Sequence, residues 1–313
     1  MMDKMHLQTD KDLEELEKRL KREYRKAQKE VSEKADAFFA SFQQQDEAMR
    51  LRLLKGDITN AEYENWRRNQ MMLNQRYTEL EKRLAAEYTQ TNVRAANMIN
   101  DSLYDTFANN YNYQIYLAER DGKIATSFAL FDRDAVRIAV AETPDIMKTA
   151  QVNIPKNLRW NEQKIASALA QGILQGDSIN HISDRLQAVT NMNRSSAVRS
   201  ARTLTTGAEN GGRYQCSKRL ENKGVEQEKQ WMSTLDERTR DTHRAIDQET
   251  VPLDAKFSNG LRYPGDPRGD GSEVYNCRCR YVTQFKRFPS TFHRSTDALE
   301  ESYEEWKRGR NKG

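Results

Sequence analysis

The sequence predicts a mainly α-helical protein that ends in a small α+β module carrying cysteine and histidine. Apolar residues recur at steps of three and four through the first hundred positions, and again between Asn161 and Asn222. After Gly224 that period gives way to a strand-like run, turns, prolines, glycines and a Cys-x-Cys pair.

In the first helix Leu13, Leu16, Leu20, Tyr24, Ala27, Val31, Ala35, Phe38 and Phe42 fall on one face, with Lys, Arg, Glu and Gln between them. Lys55-Gly56-Asp57 stops it, and Thr59-Asn-Ala-Glu62 has the form of a capping box opening a second helix. Trp66, Leu73, Tyr77, Leu80, Leu84, Tyr88, Ala95, Met98 and Leu103 carry its apolar face. Two helices joined by a short glycine-containing turn read as a long antiparallel hairpin arm, suited to self-association or to packing on another protein. From Tyr111 to Pro155 the pattern is irregular, with a turn at Asp121-Gly122 and a short helix over 134–142. Helices are expected over 161–174, from a Gly176-Asp177-Ser178 break to Val189, and over about 193–222. Gln227 to Ser233 reads as a strand around Trp231. The expected organisation is a helical hairpin arm (1–110), a mainly helical middle region forming a bundle (111–225), a compact α+β module (226–290) and a charged, flexible tail (291–313).

Composition sets limits on function. Hydrophobic residues make up 36% of the 313 and charged residues 31%, which suits a thin apolar stripe on long helices more than a thick core. The net charge of +4 does not by itself announce a nucleic-acid binder. No apolar run is long enough to cross a bilayer, so no membrane partner is expected. Met1–Asp12 is polar and lacks a signal-peptide stretch, which implies the cytoplasm in which the chain is made. Three cysteines, Cys216, Cys277 and Cys279, are too few for a disulfide framework and suit thiols or a metal site.

The densest chemistry lies in the C-terminal module. Asp236 is placed to cap a helix starting near Glu237, with His243 two turns along it. The thiolates of Cys277 and Cys279, the His243 imidazole and Asp236 form a candidate tetrahedral zinc set, because residues two apart on a strand share a face. The alternative is that the cysteines are small buried hydrophobes and His243 a hydrogen-bonded helix residue. A cysteine nucleophile with His243 as base and Asp236 as orienter is a further reading, without a recognised hydrolase signature around either thiol. Between Val274 and Thr296 there is no acidic residue, and Arg278, Arg280, Lys286 and Arg287 alternate with Tyr281, Phe285, Phe288 and Phe292. Those four cations are candidate contacts to non-specific double-stranded DNA, with base stacking on the aromatics. The alternative is solvated charge beside core aromatics. Arg194, Arg199, Arg202, Arg213, Lys218 and Arg219 on the preceding helix read as solvated helix charge.

In order, Trp231, Asp236, Arg238, Thr239, Arg240, His243, Phe257, Pro264, Gly265, Asp266, Asn276, Cys277, Arg278 and Cys279 resemble the hallmark of the Mu F-like minor head, or head-morphogenesis, proteins of tailed bacteriophages. Ala201-Arg202-Thr203 is similar to an upstream element of that family, and the resemblance covers roughly the last 130 residues. Two departures stand out. Leu204 replaces an acidic residue, and Asp247-Gln248-Glu249 replaces an expected glycine, so that turn should adopt another geometry. The resemblance implies a virion protein and not an enzyme. It would be held inside the head near the portal protein, in contact with inner capsid or scaffold, and would act in head assembly and DNA delivery after joining the procapsid in the host cytoplasm. A protein of another class, a Cys/His or metal-dependent hydrolase or nuclease packaged in the virion and injected with the DNA, is the alternative.

Overall fold

The computed structural model describes residues 3–72, 75–175, 177, 179–294 and 301–310. In chain order the elements are α1 (Lys4–Leu54), α2 (Asn60–Met72), α3 (Gln75–Gly122), β1 (Ile124–Ala125), α4 (Arg133–Glu142), a 3-10 turn (Pro144–Ile146), α5 (Ile154–Leu174), α6 (Ile179–Glu221), β2 (Glu226–Met232), α7 (Asp241–Ala245), β3 (Thr250–Pro252), α8 (Gly271–Val274), β4 (Arg280–Arg287), β5 (His293–Arg294) and α9 (Tyr303–Arg310). The fold is mainly α with a C-terminal α+β module, as the sequence predicts. No helix among the described residues is long and apolar enough to cross a membrane.

Local chemistry explains the boundaries. Thr59 and Glu62 form the expected box: the Glu62 carboxylate accepts from the Thr59 amide at 2.8 Å, and Thr59 Oγ1 accepts from the Glu62 amide at 3.2 Å. Asp132 caps α4 by accepting from the Ala135 amide at 2.8 Å. Four expectations about the helices are corrected. Tyr111–Gly122, read as irregular, continues α3, because Tyr111, Tyr113, Ile115, Tyr116 and Ala118 are buried among tertiary partners that a periodicity reading does not contain. The two helices expected over 179–189 and 193–222 are one, α6, and α5 begins earlier, at Ile154. Of the phenylalanines on α1 the fully buried one is Phe39, with Phe38 and Phe42 partly buried beside it. Leu73, Gly176 and Ser178, which carried parts of the sequence reading, lie outside the described residues.

The chain divides into two compact units, each discontinuous in sequence. One comprises residues 18–97 and 151–198. Its core joins Val31, Ala35 and Phe39 of α1, Leu80, Leu84 and Tyr88 of α3, Ile165 and Leu169 of α5, and Ile182, Leu186 and Val189 of α6. The hairpin helices therefore share a core with α5 and α6. Through it runs a buried amide layer. Asn92 donates to Asn157 (2.9 Å) and Asn193 (2.6 Å), Asn193 donates to Asn161 (3.0 Å), Asn161 donates to Asn157 (3.0 Å), and Tyr24 donates to Asn92 (2.6 Å).

The other unit comprises residues 1–17, 98–150 and 199–313 and holds both sheets. β1 pairs antiparallel with β5; β2 is central in a sheet of order β3-β2-β4, antiparallel to both neighbours. In the tail expected to be flexible, α9 is packed: Trp306 is buried and its Nε1 donates to Glu119 at 2.8 Å. Residues 295–300 and 311–313 of that tail lie outside the described residues.

Two features of this unit depend on close approach. Gly265 has φ +75°, and a β-carbon there would come within 2.6 Å of the Gly207 amide on α6; one on Gly207 would meet the Gly265 carbonyl at 2.8 Å. The start of α1 is held by buried charge: Arg213 donates to Asp3 at 2.6 Å and to Glu209 at 3.2 Å, and His6 Nδ1 lies 2.9 Å from Glu209. Burial opposes the charge of Asp3, yet Arg213 carries its pKa below the ordinary value; burial likewise opposes the charge of His6, yet the Glu209 hydrogen bond and charge raise its pKa. Asp10, 3.7 Å from His6 Nε2, adds to that upward pull, and Arg280 works against it.

Gly265→Ala should therefore destabilise the protein by at least about 2 kcal/mol, from left-handed strain plus overlap. Gly56→Ala, at φ +78° with nothing within 4 Å, should show only the conformational cost, on the order of 1–2 kcal/mol. Denaturant midpoints of the two variants make the comparison. For the charged anchor, the protonated His6 contributes stability that is complete below pH about 6.5 and is lost as pH rises through its higher folded pKa. Asp3 contributes stability present above its ordinary carboxyl range and lost as pH falls through its depressed folded pKa. Hydrogen-exchange protection of the first turns of α1 should fall as pH rises from mildly acidic to alkaline, and His6→Ala should remove that dependence. Protection that is flat with pH in the unmodified protein would refute the linkage.

Candidate metal centre and its surrounding motif

β4 is an edge strand of its sheet, and α6 covers the edge with polar side chains. Thr203, Thr206, Asn210, Arg213 and Ser217 recur at steps of three and four, so they form one stripe on α6. Thr203 Oγ1 accepts from the Asn276 amide at 2.9 Å, and Thr206 Oγ1 donates to the Cys277 carbonyl at 2.5 Å. Asn210 donates to the Cys279 carbonyl at 3.2 Å and accepts from the Tyr281 amide at 3.0 Å. Arg213 donates to the Tyr281 carbonyl at 3.2 Å, and Ser217 lies 3.4 Å from Thr283 Oγ1. The backbone from Asn276 to Tyr281 is thereby held by α6, and from Arg280 onward β2 pairs with its other side.

That fixation brings the two thiols to His243. Its Nδ1 lies 3.7 Å from Cys277 Sγ and 3.4 Å from Cys279 Sγ, and all three side chains are buried. The ligand atoms lie within 4.8 Å of one another, so the group can hold a metal ion. The spacing fits one tightly: bonds of about 2.3 Å to sulfur and about 2.0–2.1 Å to nitrogen give a tetrahedral S···N edge of about 3.6 Å. Asp236, expected as a fourth ligand and helix cap, does neither. Residues 236–239 form a turn, α7 starts at Asp241, and His243 sits in its first turn. The Asp236 carboxylate instead accepts two bonds from Arg278 (2.5 and 2.6 Å) and one from the Arg238 amide at 3.0 Å, and the Arg278 bonds hold its pKa well below the usual carboxylate range. The neighbouring Cys279, with burial, raises the pKa of Cys277, while Cys277, with help from His243, lowers that of Cys279. No disulfide links them.

The rest of the motif builds walls and turns around this centre. Trp231 is fully buried, and its ring meets His243 and Phe257 edge-on, each with centroids 5.1 Å apart. Thr239 closes the 234–239 turn by accepting from the Asp236 amide at 3.1 Å, and Arg240 donates to the Tyr275 carbonyl. Asp266 is buried with bidentate bonds from Arg262 (2.5 and 2.8 Å), which shapes the loop after Pro264-Gly265. Asn276 turns the chain at φ +55° into the Cys-x-Cys segment. Arg238 stays exposed.

The cations proposed for DNA all have carboxylate neighbours: Arg278 with Asp236, Arg280 with Asp3 (3.5 Å), Lys286 with Glu228 (2.9 Å) and Arg287 with Glu226. The interleaved aromatics are not free for stacking on bases. Tyr281 is fully buried, and Phe285, Phe288 and Phe292 pack on the core of Tyr111, Tyr113, Tyr116 and Trp306. On α6, Arg213 is buried instead of solvated, Arg202 pairs with Glu17 (2.6 Å), Lys218 lies 2.6 Å from both Glu221 and Asp254, and Arg219 donates to Tyr111 at 2.9 Å.

Sequence reasoning missed three residues. Glu273 of α8 places Oε2 2.9 Å from His243 Nε2, and Thr242 donates to both its oxygens (3.2 and 3.0 Å). Lys229 is buried, donating to the carbonyls of Leu253 and Ala255 at 2.6 Å beneath Tyr214 and Phe257; burial lowers its pKa to about 8. Gly207 was invisible because nothing in a helix sequence marks which residue a distant loop touches. The period-3.6 polar stripe from Thr203 to Ser217 marks one face of α6, and nothing local says what that face meets.

In three dimensions α6 grips the Cys-x-Cys segment leading into β4, beside a Trp231–His243–Phe257 stack, and the motif residues read from the sequence gather around it. Residues 163–282 match the model of the family described as Phage Mu protein F like protein, so the resemblance read from the motif holds. The chain is 25% identical over 283 residues to the minor head protein GP7 of Bacillus phage SPP1, covering 86% of this chain and 85% of that protein. It is also 26% identical over 200 residues to the NAD(+)–arginine ADP-ribosyltransferase EFV of Enterococcus faecalis (strain ATCC 700802 / V583), covering 61% of this chain but 40% of that protein. No solved structure matches the chain.

The turn that lacks the expected glycine nonetheless uses a left-handed residue. Gln248 is exposed at φ +67°, and its amide donates to the Trp231 carbonyl at 2.8 Å. Relief of left-handed strain exceeds the added chain entropy there, so Gln248→Gly should stabilise the protein by about 0.5–1 kcal/mol. A rise in melting temperature checks this, and a fall would mean that the Gln248 side chain contributes more than its conformation costs.

Proposed function

We propose that this chain is a minor head protein of a tailed bacteriophage, a structural component of the head and not an enzyme. The observation that carries the reading is the alignment with a minor head protein over 86% of this chain and 85% of that one, with the motif region inside the family match. In this reading the protein joins the procapsid in the host cytoplasm and occupies the inside of the head at the portal vertex. Its partners there are the portal protein and inner capsid or scaffold, and it acts in head assembly and in handling or ejecting the genome. Non-specific contact with the packaged duplex belongs to the same reading. It would use Arg278, Arg280, Lys286 and Arg287 by exchanging a carboxylate for a phosphate, which makes it strongly salt-dependent.

The metal we assign to His243, Cys277 and Cys279 is zinc, since two thiolates and an imidazole form an N/S donor set of the kind that zinc takes. Burial of all three suits a staple of the module more than an attacking nucleophile, which needs an approach path. The ADP-ribosyl transfer named for the enterococcal relative does not come over with a match that covers 40% of that protein.

Co-expression with the portal protein of the same phage, followed by size-exclusion chromatography with mass determination, should give co-elution at a defined stoichiometry. Clean separation, together with absence from purified heads, would defeat the portal-vertex reading. Duplex cleavage that is lost in His243→Ala would favour the injected hydrolase or nuclease instead.

A further inference from the structure

We infer that Glu273 is the outer-shell carboxylate of the metal centre, holding the His243 imidazole with Nε2 protonated so that Nδ1 presents its lone pair between Cys277 and Cys279. This rests on the zinc reading above and adds to it a residue outside the ligand set and outside the motif.

The argument is geometric. His243 has two ring nitrogens, and a neutral imidazole carries its proton on one of them. Nδ1 faces the two sulfurs at 3.4 and 3.7 Å, so it is the ligating atom. Nε2 is buried without a hydrogen-bond partner in the present arrangement, yet the Glu273 carboxylate oxygen lies 2.9 Å away. That is ion-pair distance, and aligning the ring N–H with the carboxylate would make it a hydrogen bond. An orphaned buried nitrogen is costly, and the nearby oxygen is the acceptor that removes the cost.

Glu273 is itself fixed. It lies in α8, whose start is capped by Asp270 accepting from the Ser272 amide at 2.8 Å, and Thr242, the neighbour of His243, donates to both its carboxylate oxygens. The edge-on Trp231 ring limits rotation of the imidazole from the side. A histidine ligand whose second nitrogen meets a carboxylate is the common arrangement in metal sites, where it sets tautomer and orientation and raises ligand basicity. The module thus brings one nitrogen, two sulfurs and an orienting carboxylate from α7, the Cys-x-Cys segment and α8, with about 30 residues between the first element and the last two.

The test uses the full-length chain, stripped with chelator and titrated with Zn²⁺ against a chromophoric competitor, and separately with Co²⁺ to read coordination by absorption. The expected result is one Zn²⁺ per chain and a thiolate-to-cobalt charge-transfer band. Cys277→Ser should abolish tight binding. Glu273→Gln should keep the stoichiometry and the band but weaken Zn²⁺ by about 10–100-fold. Thr242→Val, which frees Glu273 without touching His243, should weaken it by a smaller factor and serves if Glu273→Gln does not fold. Unchanged affinity in both variants would overturn the role of Glu273 while leaving the zinc centre standing. Failure of the unmodified chain to take Zn²⁺ or Co²⁺ would overturn the zinc reading and this inference with it.

Discussion

The grip of α6 on the free edge of β4 is the interaction on which the rest of the C-terminal module depends. An edge strand presents unpaired amides and carbonyls, and burying them without partners would cost more than the small sheet gains. Thr203, Thr206, Asn210 and Arg213 supply partners from one helical stripe, to Asn276, Cys277 and Cys279 on the approach to β4 and to Tyr281 within it. Because the same backbone carries Cys277 and Cys279, satisfying the edge also fixes where the sulfurs point. Gly207, in the middle of the stripe, lets the Gly265 backbone reach the helix, and this seats the loop that packs Tyr263 and Phe257 around Trp231.

The other unit solves a different problem. Long helices with thin apolar stripes can slide past one another with little loss of hydrophobic contact. A buried amide layer prevents this, because Asn92, Asn157, Asn161 and Asn193 are mutually satisfied in one register alone. Shifting any helix by a turn would leave several buried amides without partners. The layer costs burial energy and returns a single arrangement of α1, α3, α5 and α6 within that unit.

Charge around the start of α1 and along β4 is mostly paired within the chain. Arg213 lies buried among Asp3, Glu209 and the Tyr281 carbonyl, and the cations of β4 and its approach have carboxylate neighbours. An Arg-rich, acid-free stretch of sequence is therefore not equivalent to an electropositive surface, since its counter-charges arrive from Asp3, Glu226, Glu228 and Asp236 elsewhere in the chain. Such pairing supplies folding specificity, because each cation is satisfied by a carboxylate brought from a different segment.

The sequence by itself determined what local chemistry controls. The helical character of residues 13–103 and 161–222, the Thr59–Glu62 box, α4 and the strand around Trp231 were legible, because period and caps are short-range signals; the meeting of His243 with Cys277 and Cys279 was legible from ligand chemistry. The motif was legible as a resemblance, and the comparisons bear it out. Tertiary structure alone decided the rest. Asp236 pairs with Arg278 instead of ligating, Glu273 arrives beside His243, the aromatics of 281–292 turn inward, and the packing units each collect distant segments. These outcomes depend on which buried charge or edge finds a partner across many residues, and a polar stripe on a helix does not reveal whether it will face water or the edge of a strand.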